Sequence, residues 1–413
     1  MSTIRQSPEL NFDEYPPEVV EYQMAVREFA REEVLPRALE LDQEAHDHFA
    51  WDLVQKGHEI GLTRALLPRE FGGLGVGVVG VCVGMEELAA ACPGVALIFG
   101  ATMLGQAPVL LSGDPGLQAR FLPLFSQEQA VLACNAVCEE HHGVDLVVPG
   151  NVRHAHDITT MRREGEDYVI NGHKRVITNA AVANFASVFV KMDGREPDAG
   201  LTCVMVPLDS PGVTRGPVAD KMGYRACLGS ELFFEDVRVP ALNLIGGEGE
   251  GLDILAAQGN MARSSVAAVS VGVARHALEI AVDFCATRVQ GGVALREHQM
   301  TARKLAEMTS KVDAARLLYL AAANKVDNRL PAPEYEPAVA KFFADRMATE
   351  VAGEAVSLLG SRGYIREFGL EKVLRDSYGA RIYEGTAEAL ALAITDCLYR
   401  DDDEEGWDDD EDL

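Results

Sequence analysis

Cysteine is scarce in this chain. Eight occur in 413 residues, at positions 82, 92, 134, 138, 203, 227, 285 and 397, and no two form a Cys-x-x-Cys pair. That density excludes a disulfide scaffold, and the spacing matches no standard zinc site, even where Cys134, Cys138, His141 and His142 cluster. The thiols read as reduced and mostly buried, in a cytoplasmic protein. Basic residues are also short, with 37 Lys and Arg against 64 Asp and Glu, a net charge of −27. A surface so acidic repels phosphate backbones and anionic lipid, which sets aside nucleic acid and membrane surfaces as partners. Long apolar runs are missing too. The stretch that reads as most apolar, Gly72 to Met85, is interrupted by glycine and runs into Glu86-Glu87, so membrane insertion is not expected. The opening MSTIRQSPEL lacks the basic-then-apolar pattern of a signal peptide.

What remains is a globular composition, 48% hydrophobic and 24% charged, in a chain long enough for two or three domains. Apolar spacing divides it. Val19, Tyr22, Val26 and Phe29 lie on one face of a helix that Pro16-Pro17 can start. The same helical style runs to about residue 125. The texture then turns to strands: Ala186–Lys191, Leu201–Pro207, Glu231–Pro240, and a hairpin expected on either side of Asn171-Gly172. After Gly246-Gly247 the helical period returns, through Val266, Val269, Val273, Ala277, Ile280 and Phe284, and again through Leu305, Met308, Val312, Ala315 and Tyr319. Long helices joined by short loops predict an antiparallel bundle. The fold class is therefore α+β and multidomain: an N-terminal helical domain over 1–128, a middle β domain over 129–243 and a C-terminal bundle over 244–400. The segment 401–413, with ten acids in 13 residues, cannot build a core and is expected to be disordered.

Four stretches carry a sharper signal. They are Asn171-Gly172-His173-Lys174-Arg175-Val176-Ile177-Thr178-Asn179, then Lys221–Arg225 with Phe233–Pro240, then Arg288 through Gln299, and finally Ile382-Tyr383-Glu384-Gly385-Thr386. In this order and spacing, the chain from about residue 15 to 398 resembles the acyl-CoA dehydrogenase family. The resemblance implies an N-terminal helical domain, a β-barrel-like middle domain and a four-helix bundle, with FAD as cofactor and a homo-oligomer, a tetramer, as the assembly. It implies α,β-dehydrogenation of an acyl-CoA thioester, with electrons passed to an electron-transfer flavoprotein.

By the same resemblance, Glu384 is the catalytic base that removes the α-proton. Cys138, Thr178, Arg288, Gln299, Gly385, Thr386 and Glu388 fall on the cofactor side, with Arg288 and Gln299 reaching the FAD of a neighbouring subunit. Val144, Asn260, Arg263 and Gly385 fall on the substrate side; no metal is implied. Several positions depart from the family pattern. Cys138 stands for a threonine that bonds the flavin, Val144 for a serine at the pantetheine arm, Val176 for a tryptophan and Gly291 for a phenylalanine. His141, His142 and Glu140 are candidates for the mouth of the acyl site, and Asp253 is the rival base. Three further readings stay open: an enoyl-CoA reductase, an acyl-carrier-protein dehydrogenase of the same fold, and a non-catalytic FAD-poor partner subunit.

Overall fold

The architecture was obtained as a computed structural model. The structure describes residues 15–400, apart from residues 147, 149, 150, 157 and 330 and the side chain of Val144. The acidic segment 401–413 lies outside the described residues.

The first block is helical: α1 (Pro17–Phe29), α2 (Ala38–Gln43), α3 (Trp51–Glu59), α4 (Gly77–Ala91), α5 (Pro93–Leu111) and α6 (Pro115–Phe121). In α1, Val19, Tyr22, Val26 and Phe29 are all buried, as their spacing predicts, and Pro17 takes the first helical position, where a missing N–H is tolerated. The most apolar helix is α5 rather than the stretch 72–85. Pro93-Gly94 reads as a break in sequence, but Pro93 starts α5 and its Gly and Pro residues are absorbed inside the helix. Among the described residues two helices, α5 and residues 251–287, have the length and hydropathy to cross a membrane, yet 72% and 61% of those windows are buried inside the protein. They behave as core helices.

The middle block holds β1 (Ala133–Ala136), β2 (Thr160–Glu164), β3 (Asp167–Thr178), β4 (Phe185–Met192), the single turn α7 (Pro197–Gly200), β5 (Leu201–Pro207), β6 (Val213–Val218), β7 (Gly229–Pro240) and β8 (Leu244–Ile245). The strand order is β6-β7-β3-β2-β4-β5-β8, and β1 lies off this path, parallel to β4. The expected Asn171-Gly172 hairpin is not formed. Residues 167–178 are one continuous strand, and the turn comes earlier, where Gly165 has φ +69° between β2 and β3. Asn171 instead bonds the Asp236 backbone N–H through its Oδ1 at 2.8 Å, and the β3–β7 register shifts between Ile170 and Gly172. Asn-Gly here serves a bulge, which needs the same backbone freedom as a turn.

The last block comprises α8 (Gly251–Thr287), α9 (Gln299–Asn328), α10 (Tyr335–Leu359), α11 (Ser361–Tyr364), α12 (Leu370–Ser377) and α13 (Ala387–Tyr399). Helix α8 packs on α4, α9 and α10, so the first and last blocks share a core. A charge network that the apolar period cannot reveal crosses this seam. Buried Glu86 accepts from Arg316 Nη2 at 2.9 Å and from Tyr319 Oη at 2.6 Å, while Glu87 accepts from Arg275 Nη2 at 2.9 Å and Arg27 Nη2 at 2.8 Å. The Lys221–Arg225 stretch clamps the middle block to α12. Asp376 accepts from the Tyr224 N–H at 2.7 Å and from Lys372 at 2.6 Å, and Arg225 Nε donates to the Asp42 carbonyl at 2.7 Å.

Candidate active site

All three blocks meet around a cavity of about 660 Å³. Leu97, Gly100 and Ala101 of α5, Val137 and Cys138 just after β1, Thr178 at the end of β3, Asn260, Arg263 and Val266 of α8, and the 382–386 turn line it. Its walls are mostly apolar, so the few polar groups in it stand out.

Glu384 reaches this cavity on strained backbone. It has φ +55°, a conformation that costs a non-glycine residue roughly 1–3 kcal/mol unless its surroundings impose it. Gly385 follows at φ +93°, which glycine adopts freely. Thr386 then starts α13, its Oγ1 accepting from the Ala389 N–H at 3.3 Å. Two left-handed residues before a capped helix thus turn the Glu384 carboxylate toward the cavity. Burial raises its pKa, opposed by the positive charges of Arg263 and Lys341. A carboxylate with raised affinity for a proton, facing an apolar chamber, is suited to proton abstraction.

Arg263 sits across from it. Its Nη1 donates to Asn260 Oδ1 at 3.1 Å, and Asn260 Nδ2 donates to the Ala332 carbonyl at 3.3 Å, so both side chains are held in place. Arg263 Nε is buried without a partner, a free donor in the chamber wall. Burial lowers its pKa, and the negative charges of Glu384 and Glu334 oppose that. Asp253, the rival base, lines the same cavity.

The segment after β1 is set by a buried ion pair. Lys174, fully buried, donates to Glu139 and to the Val137 carbonyl at 2.9 Å, and Glu139 accepts from the Thr159 N–H at 2.9 Å. That pins the chain on both sides of Cys138, whose thiol stays exposed to the cavity. The histidines do not join it. His142 Nδ1 pairs with Asp145 Oδ2 at 3.0 Å, Glu140 accepts from Arg175 at 2.8 Å, and His141 is exposed; none of the three lines the cavity. Local partners hold His142 and Glu140 away from the expected role at the mouth. Among the described residues no group of three His, Cys, Asp or Glu could hold a metal.

Of the residues expected on the cofactor side, Cys138, Thr178, Gly385 and Thr386 line the cavity. Arg288, Gln299 and Glu388 do not. Arg288 ends α8 and Gln299 begins α9, both exposed, flanking a small hairpin that turns at Gly291-Gly292. Glu388 is exposed in the first turn of α13, where its own backbone N–H and Thr386 lower its pKa, the ordinary behaviour of an acid at a helix start. Val144 lies in the 144–146 turn, and its side chain is outside the described residues.

One residue is more informative than its sequence suggests. Val176 has φ +58°, a real outlier for a β-branched residue, and sits in a second β3–β7 register shift between Lys174 and Ile177. The bulge aims it into the cavity, where it is 63% exposed. Strained backbone thus holds an apolar side chain bare in the cavity wall.

The chain matches three consecutive family profiles, the N-terminal, middle and C-terminal domains of acyl-CoA dehydrogenase, over residues 16–129, 134–237 and 249–398. It is 36% identical to a cyclohex-1-ene-1-carbonyl-CoA dehydrogenase of Geobacter metallireducens over 368 residues, 89% of this chain and 94% of that protein. Its fold is similar to butyryl-CoA dehydrogenase from Megasphaera elsdenii, with a TM-score of 0.86 and 29% identity over 93% of this chain and 99% of that one. It is similar also to a chain in a structure described as the electron transferring flavoprotein of Acidaminococcus fermentans, at a TM-score of 0.87 and 30% identity over 94% and 99% of the two chains. The chain belongs to the acyl-CoA dehydrogenase family, the FAD-dependent oxidoreductases that act on CH–CH bonds of acyl-CoA thioesters. The site is compatible with the cofactor: apolar Val176, the hydroxyl-bearing Thr178 and the Gly385-Thr386 segment line one cavity.

Proposed function

We propose that Glu384 is the base of an α,β-dehydrogenation, and that its placement on left-handed backbone facing Arg263 is the observation that carries this reading. Bound FAD supplies the acceptor for the β-hydride and its electron pair. The Glu384 carboxylate takes the α-proton as that C–H bond breaks, and the electrons of that bond form the new Cα=Cβ bond. Arg263 opposes the effect of burial and so favours the ionised carboxylate, and the apolar walls exclude water that would otherwise solvate it. Thr178, Cys138, Gly385 and Thr386 hold the cofactor, and Asn260 and Arg263 the thioester.

The acyl wall is uncharged where Leu97, Gly100, Ala101 and Val266 form it, which favours an apolar acyl group; His141 and His142 are not among the described residues that line it. Electrons then leave to an electron-transfer flavoprotein. The active form is a homo-oligomer, in which exposed Arg288 and Gln299 serve the FAD of a neighbouring subunit. Support comes from their position away from their own cavity and from apolar side chains exposed on the bundle, such as Leu317, Leu392 and Leu398. Anaerobic flavin bleaching across a panel of acyl-CoA and acyl-carrier-protein thioesters tests the reading. Bleaching by apolar acyl-CoA supports it; no bleaching by any thioester in FAD-loaded protein would point to a partner subunit without catalysis.

A further inference from the structure

A second buried charge cluster lies behind the turn that presents Glu384, and its geometry is aimed at that turn. Lys341 of α10 is fully buried. Its ammonium makes three hydrogen bonds, to Asp345 Oδ2 at 2.7 Å and to the carbonyls of Ala380 and Gly385 at 2.9 Å each. Asp345 is fixed in turn by Ser270 of α8, whose hydroxyl donates to Oδ1 at 2.7 Å. The two carbonyls bracket residues 381–384. One comes just before the turn, and the other belongs to Gly385, the residue that follows Glu384. The Lys341 nitrogen also lies 6.0 Å from the centre of the Tyr383 ring.

We propose that Lys341, held by Asp345 and Ser270, is a positioning residue that fastens both ends of the Glu384 turn and so fixes the aim of the base. This rests on Glu384 being that base. Three observations support a positioning role over simple packing. Glu384 needs an imposed backbone conformation, and Lys341 bonds the carbonyl next to it. All three ammonium donors are used, so none is left to bind substrate or cofactor. Lys341 does not line the cavity, so it acts from behind it. An ammonium in this place suits the task better than a neutral side chain, because charge-assisted bonds to carbonyls are the stronger kind.

The test compares wild type, Lys341→Met and Glu384→Gln as FAD-loaded enzymes, reduced anaerobically by a saturating series of one active acyl-CoA. The limiting rate of flavin reduction, the apparent Kd for the thioester and the FAD content per chain are read together. Misplacing a reacting group by about 1 Å costs on the order of 100-fold, so Lys341→Met should lose about 10- to 100-fold in limiting rate, with Kd and FAD content within twofold. An unchanged rate, or a rate that falls only in step with Kd and FAD content, overturns the proposal. If Glu384→Gln itself reduces flavin normally, the base assignment is what fails. Should Lys341→Met not fold, Lys341→Met/Asp345→Asn leaves no unpaired buried charge and reads the same split. If that pair yields soluble protein that cannot retain FAD, Lys341 builds the site and the proposal is wrong.

Discussion

The Lys174–Glu139 pair gives a prediction whose size follows from the geometry. Lys174 is fully buried and the Glu139 side chain is 5% exposed, so neither charge can turn to water. Burial lowers the Lys174 pKa, and Glu139 opposes that. Lys174→Met keeps the stem and removes the ammonium, leaving a buried carboxylate with only Thr159, through its N–H at 2.9 Å and its hydroxyl at 3.3 Å. Breaking a buried pair from one side typically costs about 3–5 kcal/mol, and the surviving Thr159 bonds argue for about 3. Glu139→Gln leaves the ammonium buried with the Val137 carbonyl and should cost at least as much. Lys174→Met/Glu139→Gln strands neither charge, so the double variant should be less destabilised than the sum of the singles, with a coupling of about 2 kcal/mol. Urea unfolding of the four proteins, saturated with FAD, measures all the terms. Single costs below about 1 kcal/mol, or strict additivity, would show that the pair does not hold the Cys138 segment. Because neither residue touches the reacting atoms, turnover of the folded protein should fall far less than in a Glu384 variant.

Other outcomes follow from the same structure. Burial pushes the Glu87 carboxyl up, but Arg275 and Arg27 overcome it and hold its pKa at about 2, below the ordinary 4.5. Its contribution to stability is therefore complete above about pH 4.5 and lost as pH falls toward 2, and Glu87→Gln should flatten the acid-unfolding curve in that window; an unchanged slope there would refute it. The raised pKa of Glu384 means the base is protonated, and idle, to higher pH than a free carboxylate. Flavin reduction should rise with pH through a midpoint above the usual carboxylate range, and Arg263→Gln should move that midpoint further up; a rate that falls across this range contradicts the assignment. Gly172→Ala places a Cβ 2.5 Å from the Thr159 Cα at φ +149°, so it should lower the urea midpoint by the equivalent of about 1–3 kcal/mol, and a neutral result would mean that the bulge relaxes.

Much of this was legible in sequence. The α1, α8 and α9 faces were, because each buries one stripe of a regular helix, and periodicity reports that stripe directly. The place of Glu384 at the cavity was legible through its IYEGT context, although its left-handed backbone was not. Asn171-Gly172 misled because a bulge and a hairpin turn ask for the same residue types, and only the pairing with Asp236 separates them. His142 and Glu140 misled because Asp145 and Arg175 hold them locally, and His141, expected beside them, is exposed away from the cavity. The Glu86–Glu87 network and the Lys341–Asp345–Ser270 cluster were invisible for another reason. Their members lie far apart along the chain, so no local spacing records them. A Lys four residues before an Asp, as at 341 and 345, reads as an ordinary exposed helix pair until the fold buries it. Arg288 and Gln299 are legible only by resemblance, since the single chain leaves both exposed.

The central claim is that one carboxylate, Glu384, removes the α-proton. The direct measurement is the limiting rate of anaerobic flavin reduction by an active acyl-CoA in Glu384→Gln and, beside it, Asp253→Asn, both with FAD content and thioester binding confirmed. General-base catalysis contributes roughly 10²–10⁴-fold, and here the proton transfer is obligatory, so Glu384→Gln should lose at least the upper end of that range while still binding thioester. Asp253→Asn should stay near wild type. The reverse pattern, near-normal reduction in Glu384→Gln and none in Asp253→Asn, would move the base to α8 and contradict the account.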